Sequence, residues 1–223
     1  MADSRSELED LRPLPRGRHG LNPEEVAGHQ RERIALAVAT VIAEQGYDQL
    51  TVKTLIDVAG VSRSTFYVHF ANKQEAILAA HQLIFERFNA ELSEACVADG
   101  EWTQKVRAAL AATVEFARAN PHQSRMLSAG SLNVDAAVAE QIIDFHDRLA
   151  VLLAGLRPAS PYSAELPPVT EQFLVAGIVS LLSGAVIRGE TEKLPSLEAE
   201  LFELVLIPYF GNDEAARLAK AAT

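Results

Sequence analysis

The sequence predicts an all-α chain, with a compact N-terminal group of three helices followed by a larger helical bundle. Apolar residues recur at spacings of three and four rather than in alternation, and no stretch reads as a strand. Helix-starting and helix-ending residues punctuate the chain along its length. Its 223 residues are enough for one or two domains and a sizeable core.

Residues 1–22 are rich in Pro, Arg, Gly and acids and are expected to form a flexible arm. Asn22-Pro23-Glu24-Glu25 then starts a helix: Asn caps it, Pro fits the first turn, and the acids face its positive end. It is expected to run to Gln45, with a bend at Gly28 and Gly46 as its stop. Its buried stripe is Ile34, Val38, Val41 and Ile42. A short helix follows Thr51, with Val52, Leu55 and Ala59 on one side and Gly60 at its end. Val61 crosses to a third helix, capped by Ser62. Phe66 and Phe70, four apart, point together into the core, while Ser64, Thr65, Tyr67 and Val68 fall opposite. Asn72-Lys73-Gln74-Glu75 makes a capping box for a fourth helix whose stripe is Ile77, His81, Ile84 and Phe88. The first domain is placed at 23–75 and the second at 76–223.

Further helices are expected over 101–119, 121–127, 134–156, 169–188 and 197–207, with a short tail after Asn212. Breaks at Asn120-Pro121, Arg157-Pro158, Pro167-Pro168 and Pro195-Ser196 separate them. The longest apolar run, 173–187, is 15 residues, too short to span a bilayer, and reads as a buried helix. The N-terminus has no charged-then-apolar export pattern, and a single cysteine, Cys96, excludes an intramolecular disulfide. Both suit a cytoplasmic protein, with Cys96 read as a small buried apolar residue.

A formal charge of -10 argues at first against a nucleic-acid partner. Its distribution reverses that. Residues 11–73 hold eight Lys/Arg against six Asp/Glu, whereas residues 74–223 hold eleven against twenty. Only the first of these segments can approach phosphate without strong repulsion.

Two short helices joined by Gly60-Val61-Ser62 have the length and turn of a helix-turn-helix. In such a unit the second helix enters the major groove with its N-terminal side chains toward the bases. The outward residues suit that task. Ser64 and Thr65 exchange hydrogen bonds, Arg63 matches guanine bidentately, and Val68 or a Thr methyl meets a thymine methyl. Lys73 and the amides opening the fourth helix suit a phosphate. A helical hairpin with an exposed polar face fits the spacing equally well.

The stretch TLIDVAGVSRSTFYVHFANKQEAILAA, preceded by RERIALAVATVIAEQGYDQLTV, resembles the N-terminal domain of the TetR family of bacterial transcriptional repressors. The matching marks are GY…LTV, AGVSRSTFY.HF and NK.E.I, spread over residues 30–85. The resemblance implies that Ser62, Arg63, Ser64 and Thr65 begin the recognition helix. It also implies that Tyr67, His69 and Lys73 contact phosphates, and that Thr51 caps the second helix and touches phosphate. His69 rests on the family alone, since the helical wheel does not turn it clearly outward. Upstream, Arg16, Arg18 and His19 lie on the arm, which either enters a minor groove or is a plain tail.

The resemblance further implies a C-terminal bundle that dimerises and encloses a small-molecule effector. Gly177, Ser180 and Gly184 recur on one side of a helix and permit close approach, with Ile178 and Leu181 alongside. Leu201, Leu204 and Val205 lie on the next helix. In the family, the last two long helices form a four-helix interface with their two-fold mates. A homodimer carries two reading heads, so an inverted-repeat operator is expected. Trp102, Phe116, Met126, Phe145 and Phe173 are candidates for an effector pocket, and each also fits a plain core position. His146 beside Asp144 and Asp147 points in a different direction from both, so no metal is expected, and no cofactor either. There is no GxSxG elbow, phosphate-cradling GxxxxGK[ST], HExxH or CxxC, so an enzyme is not expected. The alternative is a ligand-independent DNA-binding protein that acts through a protein partner.

Overall fold

The computed structural model describes residues 22–96, 100–127, 136–155, 157, 158, 160 and 162–221. Arg16, Arg18 and His19 lie outside these residues. Among the described residues the regular structure is helical throughout. The helices are α1 (Pro23–Gln45), α2 (Val52–Ala59), α3 (Arg63–His69), α4 (Lys73–Cys96) and α5 (Trp102–Ala119), then α6 (Pro121–Met126), α7 (Ala136–Gly155), α8 (Thr170–Ile187), α9 (Leu194–Phe210) and α10 (Asn212–Ala221). Two compact units result: the described residues up to Glu86 with those in Asn120–Gln141, and those in Arg87–Ala119 with those in Ile142–Thr223.

Local chemistry sets the first unit. The Asn22 side chain accepts from the Glu25 amide at 2.8 Å, and the Glu25 carboxylate accepts from the Asn22 amide at 2.8 Å. Thr51 and Thr54 cap α2 in the same reciprocal way, at 3.1 and 2.9 Å. Gly60 ends α2 with a left-handed φ of 62°, a conformation in which a Cβ is strained. Ile34, Val38 and Val41 of α1, Leu55 and Ala59 of α2, Phe66 of α3 and Phe70 just after it are all buried. α1 packs against α2, α3 and α6.

His81 on α4 is fully buried in this unit. Its Nε2 lies 3.4 Å from the Tyr47 hydroxyl, and among the described residues its Nδ1 has no hydrogen-bond partner. Burial lowers its pKa to about 4. The neutral ring is therefore favoured in the fold, while the unfolded chain takes up a proton below about pH 6.5. Stability should be full above pH 6.5 and fall by about 3 kcal/mol as the pH drops to 4. Urea melts across that window measure it, and His81→Leu should flatten the slope.

The second unit has its own core. Val106, Leu110 and Val114 of α5 meet Leu182 and Val186 of α8 and Leu201, Phe202, Val205 and Leu206 of α9. Phe116 and Phe145 both pack edge-on to Phe88, at 5.1 and 5.6 Å. Cys96 is half-buried, and burial raises its thiol pKa despite the nearby Lys105.

Two expectations need correction. The last long helix starts at Leu194, because Pro195 sits in its first turn, where a missing N–H costs nothing. It also continues past Pro208 to Phe210, instead of spanning 197–207. The apolar run is not the buried helix its composition predicts: α8 is 18 residues long and only 28% of it is buried. By length and composition alone, α8 is long and apolar enough to cross a membrane. Much of its apolar surface is exposed among the described residues, Phe173 at 77% above all.

Candidate nucleic-acid interface

The turn Gly60-Val61-Ser62 launches α3 at a fixed angle. The Ser62 hydroxyl accepts from the Thr65 amide at 3.0 Å and lies 2.7 Å from Ser64 Oγ and 2.8 Å from Thr65 Oγ1. This small hydroxyl cluster opens the helix. Phe66 is fully buried and its ring lies 5.8 Å from that of Phe70, so these two rings anchor α3 inward. That leaves Arg63 and Ser64 exposed, with Tyr67 48% and Val68 79% exposed. The Arg63 guanidinium lies 5.8 Å from the Tyr67 ring centroid, one turn along the same face. An exposed valine and tyrosine beside a guanidinium and hydroxyls make a surface of mixed apolar and donor character. Base edges in a major groove require that mixture.

Thr51 is exposed, with its hydroxyl already engaged in capping α2. Two predicted contact residues sit differently from expectation. His69 is half-buried, and its Nε2 lies 3.1 Å from Gln30 Oε1. Burial and then the Arg31 charge lower its pKa, so it is neutral near pH 7. Lys73 is half-buried and its ammonium donates to the Leu50 carbonyl at 2.9 Å. One of its three protons thus ties the start of α4 to the chain before α2. Asn72 accepts from the Glu75 amide at 2.9 Å as the capping box requires, while the Glu75 carboxylate reaches the Ala71 amide. Lys73→Ala is expected to act twice. It should lower the melting temperature by a few degrees, the loss of a charged hydrogen bond worth about 1.5 kcal/mol. It should also weaken binding to all DNA sequences alike, flattening the salt slope by about one.

Sequence reasoning missed Gln30 and Arg31. The Arg31 guanidinium lies 4.8 Å over the Phe70 ring and 3.5 Å from the His69 carbonyl. These partners are 38 and 39 residues apart, and no local signal announces them.

In the second unit, the interface candidates divide. Gly177 and Ser180 are exposed, Leu181 and Leu204 are about half exposed, and Ile178 and Gly184 are half-buried. Leu201 and Val205 are each only 2% exposed and belong to the unit's own core. That side of α9 packs against α5. The pocket candidates fall in both units. Phe116 and Phe145 are core partners of Phe88, and Trp102 packs edge-on to Tyr209 at 4.8 Å. Met126 is fully buried in the first unit, whereas Phe173 is 77% exposed on α8.

Residues 35–86 match the family described as bacterial regulatory proteins, tetR family. The chain is 23% identical over 164 residues to the nucleoid occlusion factor SlmA of Actinobacillus pleuropneumoniae, covering 73% of this chain and 81% of that one. It is 22% identical over 156 residues to the HTH-type transcriptional repressor KstR of Mycolicibacterium smegmatis, covering 70% and 74%. In fold it resembles the fatty acid degradation regulator FadR from Bacillus halodurans. The TM-score is 0.71 at 20% identity, over 79% of this chain and 94% of that one. Residues 35–86 thus belong to the tetR family of bacterial regulatory proteins, and the chain is a helix-turn-helix, DNA-binding transcriptional regulator of that type.

Proposed function

We propose that the chain is a homodimeric repressor that binds an inverted-repeat operator and is released from it by a small-molecule effector. The observation that carries the DNA half is the α3 surface: Phe66 and Phe70 are buried while Arg63, Ser64, Tyr67 and Val68 face outward. Arg63, Ser64 and Val68 read base edges, Ser62 and Thr65 open the helix, and Tyr67, Lys73 and Thr51 hold the backbone. His69, neutral and engaged by Gln30, is left to an uncharged contact at most. Arg16 and Arg18 are assigned to the adjacent minor groove.

The dimer is supported by α8, whose Phe173, Gly177, Ser180 and Leu181 leave an apolar, small-residue face uncovered. A second copy covers it, with Leu204 and the exposed side of α9 completing the contact. Two heads then meet half-sites one helical turn or a multiple apart. The repressor role is supported by the likeness to a relative named as a repressor. The effector acts through a coupling of about 1–3 kcal/mol between its site and the spacing of the heads.

The likeness to a nucleoid occlusion factor favours a second reading, in which the DNA-bound dimer works through a protein partner. Thermal shifts against a metabolite panel, with and without selected operator DNA, separate the two. A metabolite that stabilises the free chain and weakens its hold on DNA supports release by an effector. Stabilisation by operator alone, across the whole panel, supports the second reading.

A further inference from the structure

We infer that Gln30 and Arg31 form a clamp that sets the reading helix α3 against α1, making them positioning residues for base selection. This rests on the DNA-reading role of α3 proposed above. α3 has only seven residues, about two turns, so few contacts fix its direction. Its N-terminal end is held by the Gly60-Val61-Ser62 turn and the Ser62 cap. Its C-terminal end is held from α1, by two consecutive side chains. With Gln30 Oε1 as acceptor, His69 donates its Nε2 proton across 3.1 Å, which fixes one tautomer and the ring direction. Arg31 lays its guanidinium 4.8 Å over Phe70 and places NH1 3.5 Å from the His69 carbonyl. That carbonyl belongs to the last turn of α3, where the helix leaves carbonyls unsatisfied and its dipole favours a cation. The planar cation serves both contacts at once.

The contacts converge on His69 and Phe70 and use no atom of Arg63, Ser64, Tyr67 or Val68. The clamp therefore leaves the reading face free and governs only where that face points. A recognition surface must be held to within about half an ångström to tell its targets apart, and short helices do not supply that rigidity alone. Loosening the clamp lets α3 rock about its capped end. Correct base contacts then suffer more than backbone contacts, which any duplex offers.

The test uses the full chain and duplexes selected from a random pool by the wild type. Gln30→Ala, Arg31→Ala, Arg31→Lys and the double alanine variant are compared by anisotropy titration. Each is titrated on the selected duplex, its single-base variants and an unrelated duplex, at several salt concentrations. Circular dichroism confirms that each variant is folded. The double variant should lose about tenfold on the selected duplex and little on the unrelated one, with an unchanged salt slope. Arg31→Lys should not restore selectivity, because an ammonium lacks the planar stack over Phe70. The inference is overturned if all duplexes weaken together, the slope falls by about one and Lys restores binding, since Arg31 then grips phosphate directly. It is equally overturned if folded variants keep the wild-type base preference. A wild type that selects no duplex at all removes the proposed DNA-reading role itself, and the clamp falls with it.

Discussion

Glu171→Ala is expected to destabilise the second unit by about 3 kcal/mol, a fall of roughly 6–12 °C in melting temperature. The Glu171 side chain is only 2% exposed, and both of its oxygens are used. Arg157 donates to them at 2.6 and 2.7 Å, and the Tyr209 hydroxyl donates at 2.8 Å. Burial alone would raise the carboxyl's pKa. The hydrogen bonds from Arg157 and Tyr209, helped by the guanidinium charge, outweigh it and hold the group below its ordinary value. The same pairing raises Arg157, and burial followed by the carboxylate raises Tyr209 well above a free phenol. Removing the carboxylate strands the Tyr209 hydroxyl in the core and leaves Arg157 without its counter-charge. Partial solvation of Arg157 keeps the loss at about 3 kcal/mol instead of the roughly 5 kcal/mol of a fully buried pair. Glu171→Gln keeps an acceptor for Tyr209 and should fall between the two. The stabilisation is present above about pH 4.5 and lost as the pH drops through the depressed folded value, so acid should narrow the gap between wild type and variant. Thermal melts of the three proteins at pH 7 and pH 4 check both statements.

Phe66→Ala is expected to cost the first unit about 3–5 kcal/mol, since it empties a fully buried aromatic site. Phe66 lies 5.8 Å from Phe70 and 5.4 Å, edge-on, from Tyr67. It therefore anchors the inward side of α3 and supports one residue of the outward side. DNA binding should be lost together with the first unit's thermal transition. Phe66→Leu, which fills much of the volume, should retain a measurable part of both. Circular dichroism melts and anisotropy titrations on the same samples settle the matter.

Where an interaction is local, the sequence was legible. The Asn22 and Ser62 caps, the stop at Gly60 and the inward pair Phe66 and Phe70 depend on residues close in the chain, and each is found as expected. What spacing could not disclose is which apolar side of an all-round apolar helix meets its own chain. On α9, Leu201 and Val205 turn inward and Leu204 outward, and all three are aliphatic. The same difficulty hid the exposure of Phe173 on α8. Long-range contacts were equally silent. Lys73 bonds to a carbonyl 23 residues away, and Gln30 to a ring 39 residues away, so two expected phosphate contacts turned out to be structural ties as well. The described residues in Asn120–Gln141 belong with the N-terminal unit through α6 packing on α1, which no local pattern encodes.

The central claim is that the outward side of α3 reads DNA, and Arg63 tests it most directly. Duplexes selected from a random pool by the wild type and by Arg63→Ala should be sequenced side by side. The wild type should return an inverted repeat. The variant should lose preference at one symmetric position and bind the wild-type site more weakly by about 1–3 kcal/mol. An unchanged preference in a folded Arg63→Ala protein would contradict the account.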